Sequence, residues 1–216
     1  MSVQEYYFLV NRIGPAIETL TGVTATQYNR EVVESFSNLQ SFFEFNRFPT
    51  GHDYEYLVYL RHHGFPSPLL DWSRSPYVAA FFAFRDGSAK LEKRSIYAYC
   101  ETPTGAKGGA VGEPTIRVLG PYVRSHPRHF RQQSEYTLCE SLDAQHCWQY
   151  DSHQHVVDRA RPGQDLLWRF DISVEERVNV LQQLDNYNLN AYSLFDSEES
   201  LLETMWLREH VFKSRQ

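Results

Sequence analysis

Residues 59–84 read YLRHHGFPSPLLDWSRSPYVAAFFAF. A short helix opens at Asp53, carries Tyr56, Leu57 and Leu60 on one side, and ends at the adjacent histidines His62 and His63. Gly64 suits the left-handed residue after a helix end, and Pro66 enforces the stop. Residues 66–75 then read as extended or turning. Ser75 before Pro76 has the order of an N-cap and first helical residue. The helix from Tyr77 to Phe84 is apolar on every side, the pattern of a buried helix. The stretch is therefore expected to form the wall of a site together with the core helix behind it.

Toward the N-terminus, apolar positions from Tyr7 to Leu20 predict a helix interrupted at Gly14-Pro15, because proline removes a backbone donor. From Thr26 to Phe45, apolar residues recur at three- and four-residue steps through Val32, Val33, Phe36, Leu39, Phe42 and Phe43, with Thr24 or Thr26 as cap. Pro49-Thr50-Gly51 is a turn. Toward the C-terminus, past a charged turn at 85–94, the texture changes. Segments 95–101, 115–119, 135–141 and 166–172 have strand character. Ser173 with Glu176 has capping-box spacing ahead of Val178, Leu181 and Leu184, and Ser197 caps a last helix that opens with Glu198 and Glu199. Helices, then strands, then helices give one α+β domain over 1–216. Its expected order is N-terminal helices, a mixed or antiparallel sheet from the middle of the chain, and C-terminal helices packed on it.

The chain has 216 residues, 42% of them hydrophobic, and a net charge of −6. Such a chain builds an ordinary core and is not drawn as a whole to nucleic acid or anionic membrane. Three unevenly spaced cysteines fit a reducing cytoplasm. The N-terminus MSVQEYYFLVNR has no basic region followed by a long apolar run, and no apolar stretch is long enough to span a bilayer, so neither signal peptide nor membrane partner is expected.

Two constellations carry chemistry. In the first, Ser73, Arg74 and Ser75 precede a helix whose free N–H groups and positive dipole end suit a phosphate or carboxylate. Asp71 is placed to orient a ribose hydroxyl or a histidine, and Trp72 offers a flat face to a base or nicotinamide ring. The same residues also serve as plain caps and core, and both readings stay open. His62 and His63 are a candidate base and a ligand contact; adjacent helical residues point about 100° apart, so at most one faces a given pocket. They equally suit helix carbonyls.

The second constellation lies between Pro114 and Ser134, a stretch with four arginines (Arg117, Arg124, Arg128, Arg131), two histidines (His126, His129) and no acidic residue. In an acidic protein this is a local anion site or a solvated basic loop. It ends at Arg131-Gln132-Gln133-Ser134-Glu135. Arg131 suits a phosphate, the Gln132 and Gln133 amides a base or sugar edge, and Glu135 acid–base work. Cys139, Cys147, His153 and His155 match no zinc spacing, and no metal is expected. The glycine-rich loop 104–112 follows no phosphate-loop pattern. Neither G-x-S-x-G nor G-x-G-x-x-G occurs, which argues against an elbow-type hydrolase and a dinucleotide fold.

HHGFPSPLLDWSRSPYVAAFFAF (62–84) resembles the signature of the FRG domain family. RQQSEYT (131–137) is similar to a later strand of that family, and NLNAYSLFDSEESLLETM (188–205) to its closing segment and helix. Together these cover roughly residues 30–210. The (F/Y)-R-G triplet that names the family is not found, its nearest counterpart being Asn11-Arg12-Ile13-Gly14. The family's usual Thr-Arg before Leu-Leu-Asp-Trp is Ser67-Pro68.

The order of motifs is similar to that of ADP-ribosyltransferases, and this resemblance implies a cytoplasmic NAD-binding domain of the toxin or phage-defence kind. It gives Glu135, Gln133 and His63 catalytic parts. His62, Asp71, Trp72, Ser73, Arg74, Ser75, Arg131 and Gln132 would hold NAD as substrate, with a protein or nucleic acid as acceptor. A ligand- or partner-binding module without catalysis is the alternative, and a nuclease or other hydrolase a third.

Overall fold

The computed structural model describes residues 1–36, 48–49, 51–87, 92–121, 123 and 127–213. The fold is α+β. In chain order it runs α1 (Val3–Thr21), α2 (Arg30–Ser35), α3 (His52–His62), β1 (Leu70–Ser73), α4 (Pro76–Arg85), β2 (Lys93–Cys100), β3 (Thr115–Val118), α5 (Pro127–Arg131) and β4 (Ser134–Leu142). It continues with β5 (Trp148–Tyr150), α6 (His153–Asp158), β6 (Leu166–Ser173), a 3-10 turn, α7 (Arg177–Asn186), α8 (Ala191–Phe195), α9 (Glu198–Trp206) and a π-helical turn (Leu207–Phe212). One sheet has the order β1-β4-β3, with β5 also on β4; β2 and β6 form a second. β3 and β5 run antiparallel to β4, with Val118 opposite Thr137 and Leu142 opposite Trp148.

Contacts divide the chain into two compact units, each made of three segments: 1–70, 100–125 and 136–166 in unit 1, and 71–99, 126–135 and 167–216 in unit 2. Unit 1 has an aromatic core in which Tyr6, Tyr7 and Val10 of α1 meet Leu57 of α3, Leu138 of β4 and Trp148 of β5, among others. Unit 2 has an aliphatic and phenylalanine core in which Val78, Phe81 and Phe84 of α4 meet Leu181 and Leu184 of α7 and Leu194 of α8, with Ile172 of β6 against it.

The four predicted strands are β2, β3, β4 and β6, each within two residues of the expected ends. Ser75 caps α4 by accepting the Val78 N–H at 3.3 Å, and Pro76 is its first residue. Ser197 caps α9, and Gly64 has a left-handed φ of 79° after α3.

Four expectations need correction. α1 is not broken at Gly14-Pro15 but runs through Pro15. Proline removes one bond, whereas the helix is capped at both ends, by a Ser2–Glu5 box and by left-handed Gly22, and buries Val3, Tyr6, Tyr7 and Val10. Gly14 allows a close approach: a Cβ there would lie 2.7 Å from that of Ala25. α2 is capped by Asn29, neither by Thr24 nor by Thr26. Of the apolar positions expected to continue it, Leu39, Phe42 and Phe43 lie outside the described residues, as does Thr50. α3 opens at His52 after Gly51, one residue before Asp53. α4 is not buried all round, since Tyr77 is 58% and Phe82 43% exposed; only the Val78–Phe81–Phe84 side enters the core.

Candidate active site

Nine of the eleven candidate residues fall in unit 2, on two segments that hold each other. The first runs through β1 into the α4 cap. Ser73 Oγ donates to the Gln132 carbonyl at 2.8 Å, and the Arg74 N–H donates to the Gln133 carbonyl at 3.0 Å. Ser73 Oγ also accepts the Ser75 N–H at 3.1 Å. Two residues of one segment thus dock on two carbonyls of the other, which fixes both backbones without using the Arg74 side chain.

The second segment leaves α5 in a tight turn. The Gln132 N–H reaches the Arg128 carbonyl at 3.0 Å, and the Gln133 N–H reaches the Phe130 carbonyl at 3.1 Å. Gln133 then takes a left-handed φ of 48°, which turns the chain into β4. Its side chain is exposed. Two residues on, Glu135 Oε1 lies 3.4 Å from Arg74 Nε. The Arg74 side chain is 66% exposed and that of Glu135 25%. A guanidinium in that position keeps donors available to an incoming anion, while the carboxylate beside it is an acceptor for a hydroxyl or for a proton.

The remaining members have other partners. The Trp72 ring lies against that of Tyr99 on β2, with centroids 5.5 Å apart and planes 31° apart. Asp71 is exposed at the start of the segment. Arg131 Nη2 is paired with Asp196 at 2.7 Å, and the buried Gln132 amide donates to the Leu194 carbonyl at 3.4 Å. Ser75 Oγ is occupied by its cap bond. Tyr99, Asp196 and Leu194 were not legible as members of this cluster, because no spacing rule ties residue 72 to 99 or residue 131 to 196.

His62 and His63 belong to unit 1. His62 Nε2 is 2.8 Å from Tyr136 Oη, and the His63 ring centroid is 4.4 Å from that of Tyr59. Within unit 1 both histidines therefore pack on tyrosines at the end of α3. Of the basic stretch, Arg117 donates to the Phe48 carbonyl in unit 1 at 2.6 Å, His129 is buried in unit 2, and Arg124 and His126 lie outside the described residues. Cys139 donates to the Ser152 carbonyl, and His155 pairs with Asp151. Among the described residues no group of three or more His, Cys, Asp or Glu side chains is placed to hold a metal ion, and no helix is long and apolar enough to cross a membrane.

Comparison with known families places the chain. Residues 10–92 match the model of the FRG domain family, and this part of the chain is an FRG domain. The match takes in the Asn11–Gly14 counterpart of the missing triplet, where Arg12 is exposed on α1, and also takes in Asp71 to Ser75. It ends ahead of Arg131 to Glu135. No curated protein and no solved structure matches the chain.

Proposed function

We propose that unit 2 binds NAD and transfers its ADP-ribosyl group to a protein or nucleic-acid acceptor. The observation that carries this reading is the Arg74–Glu135 pair, a cation and a carboxylate 3.4 Å apart on two segments joined by the Ser73–Gln132 and Arg74–Gln133 bonds. Arg74, at the positive end of α4, holds a phosphate of the ligand. Trp72, backed by Tyr99, takes an aromatic ring, and Gln133 reads a polar edge of the nucleotide. Glu135 then acts on the reacting ribose. The C1′–nitrogen bond breaks, nicotinamide leaves with the bonding pair, the acceptor nucleophile adds to C1′, and its proton passes to the Glu135 carboxylate. A transferase of this kind suits an effector in toxin action or phage defence.

One observation favours a second reading, ligand binding without turnover: Glu135 rests beside a cation instead of standing alone as a base. Incubation of the protein with labelled NAD and cell extract decides between them. Transfer by the wild type, reduced about 100-fold or more in Glu135→Gln, supports the transferase. Equal transfer by the variant removes Glu135 from the chemistry. Label retained by the protein without transfer supports the binding module.

A further inference from the structure

We propose that the segment Asn190–Asp196 is a clamp that presets the Arg131–Glu135 turn, with Asp196 as the positioning residue for Arg131; its effect on ligand affinity rests on the reading of unit 2 as a nucleotide site. α8 is only five residues long, yet both of its ends are strongly defined. Asn190 makes a reciprocal capping box with Ser193, and its amide donates to Asp185 Oδ1 at 2.9 Å. At the other end Asp196 takes a left-handed φ of 52°, its N–H bonded to the Tyr192 carbonyl at 2.9 Å. Tyr192 in turn donates its N–H to Thr204 Oγ1 of α9 at 3.0 Å.

Three contacts then pass from this anchored segment to α5 and the turn. The Asp196 carboxylate holds Arg131 Nη2 at 2.7 Å. The Leu194 carbonyl takes the buried Gln132 amide at 3.4 Å. The Phe195 ring lies under two guanidiniums, Arg128 at 4.9 Å and Arg85 at 4.3 Å from its centroid. Arg85 is fixed by two bonds to Glu203, at 2.8 and 2.6 Å. A cation on an aromatic face is favourable and directional. The clamp thus grips Arg128 of α5 and two residues of the turn, Arg131 and Gln132, and the carbonyls of Gln132 and Gln133 are the ones that hold Ser73 and Arg74.

The clamp leaves part of Arg131 unused. Nη1 is buried and has no hydrogen-bond partner. An unsatisfied buried donor is costly and calls for an acceptor. With Nη1 closed off from solvent, Asp196 sets the plane of the guanidinium through Nη2.

The test uses the full chain with Asp196→Asn, which deletes the charge while tolerating the left-handed backbone, together with Arg131→Gln and the double variant. Amide hydrogen exchange at residues 131–135 is measured without ligand, and NAD affinity by equilibrium dialysis. Asp196→Asn is expected to speed exchange in the turn several-fold, with α7 and α9 unchanged, and to weaken NAD binding about threefold. The double variant is expected to bind no more weakly than Arg131→Gln alone, because the two side chains act as one unit. Unchanged exchange in Asp196→Asn overturns the clamp. Additive losses of affinity overturn the coupling of Asp196 to Arg131. If the wild type takes up no NAD, the nucleotide reading of unit 2 fails while the exchange measurement still decides the clamp.

Discussion

Lys107 in unit 1 and Arg74 in unit 2 are both loop cations, and both stand beside carboxylates. Lys107 is 19% exposed and its ammonium meets Asp165 Oδ1 at 2.6 Å, the Ile116 carbonyl at 2.6 Å and Glu101 Oε1 at 3.3 Å. An ammonium has three donors, and all three are used. The loop around it is pinned as well, the Gly108 N–H to the Gln164 side chain at 2.8 Å and Thr104 Oγ1 to the Gly163 carbonyl at 3.0 Å. Arg74 has one loose ion pair and is two-thirds exposed, and its segment is fixed through backbone and serine instead. One cation is consumed by the fold and the other is presented to solvent on a braced backbone. The residue types alone do not distinguish a cation consumed by the fold from one presented to solvent; the partners do.

The largest effect expected from this contrast is on stability. Lys107→Ala strips a partner from Asp165, whose side chain is 4% exposed, and is expected to cost about 3 kcal/mol in urea unfolding. Arg74→Ala is expected to cost less than about 1 kcal/mol, as surface pairs do. Equal losses from the two variants break the comparison.

A smaller effect sharpens it through His153, which shares a hydrogen bond with Thr137 Oγ1 at 2.8 Å. Burial, and then the nearby Lys107 charge, hold His153 below its ordinary pKa of 6.5. The unfolded chain therefore takes up a proton at His153 before the folded one does. This contribution to stability is complete above about pH 6.5 and is lost as the pH falls through that value toward the folded pKa. The urea midpoint is expected to fall between pH 7.5 and 5.5, and less steeply in His153→Gln. Identical slopes in the two proteins contradict the assignment to His153.

Local chemistry explains what the sequence made legible. Ser75-Pro76 is a cap because a hydroxyl and a fixed φ act within three residues, and the four strands show in runs of β-formers. The pairing of Ser73–Ser75 with Arg131–Glu135 came from the resemblance to the order of motifs in ADP-ribosyltransferases, since no spacing in the sequence itself ties residue 73 to residue 132. β1 was hidden because it is four residues long and follows two prolines, so the alternation of Leu70, Asp71, Trp72 and Ser73 is too short to separate a strand from an extended turn. The exposed side of α4 was hidden because composition sets how apolar a helix is, while only its packing against α7 decides which side is covered. Asp196 and Tyr99 were hidden because the contacts that matter, to Arg131 and to Trp72, are set by tertiary structure.

The central claim is that Arg74, exposed on a braced backbone, binds the ligand proposed for unit 2. Titration of the wild type and Arg74→Ala with NAD by isothermal calorimetry tests it most directly. The account predicts binding by the wild type and an affinity at least about tenfold weaker in Arg74→Ala, as expected for loss of a charge-assisted hydrogen bond, with the melting temperature held within a few degrees. Equal affinity in the two proteins, or no binding by the wild type, contradicts it.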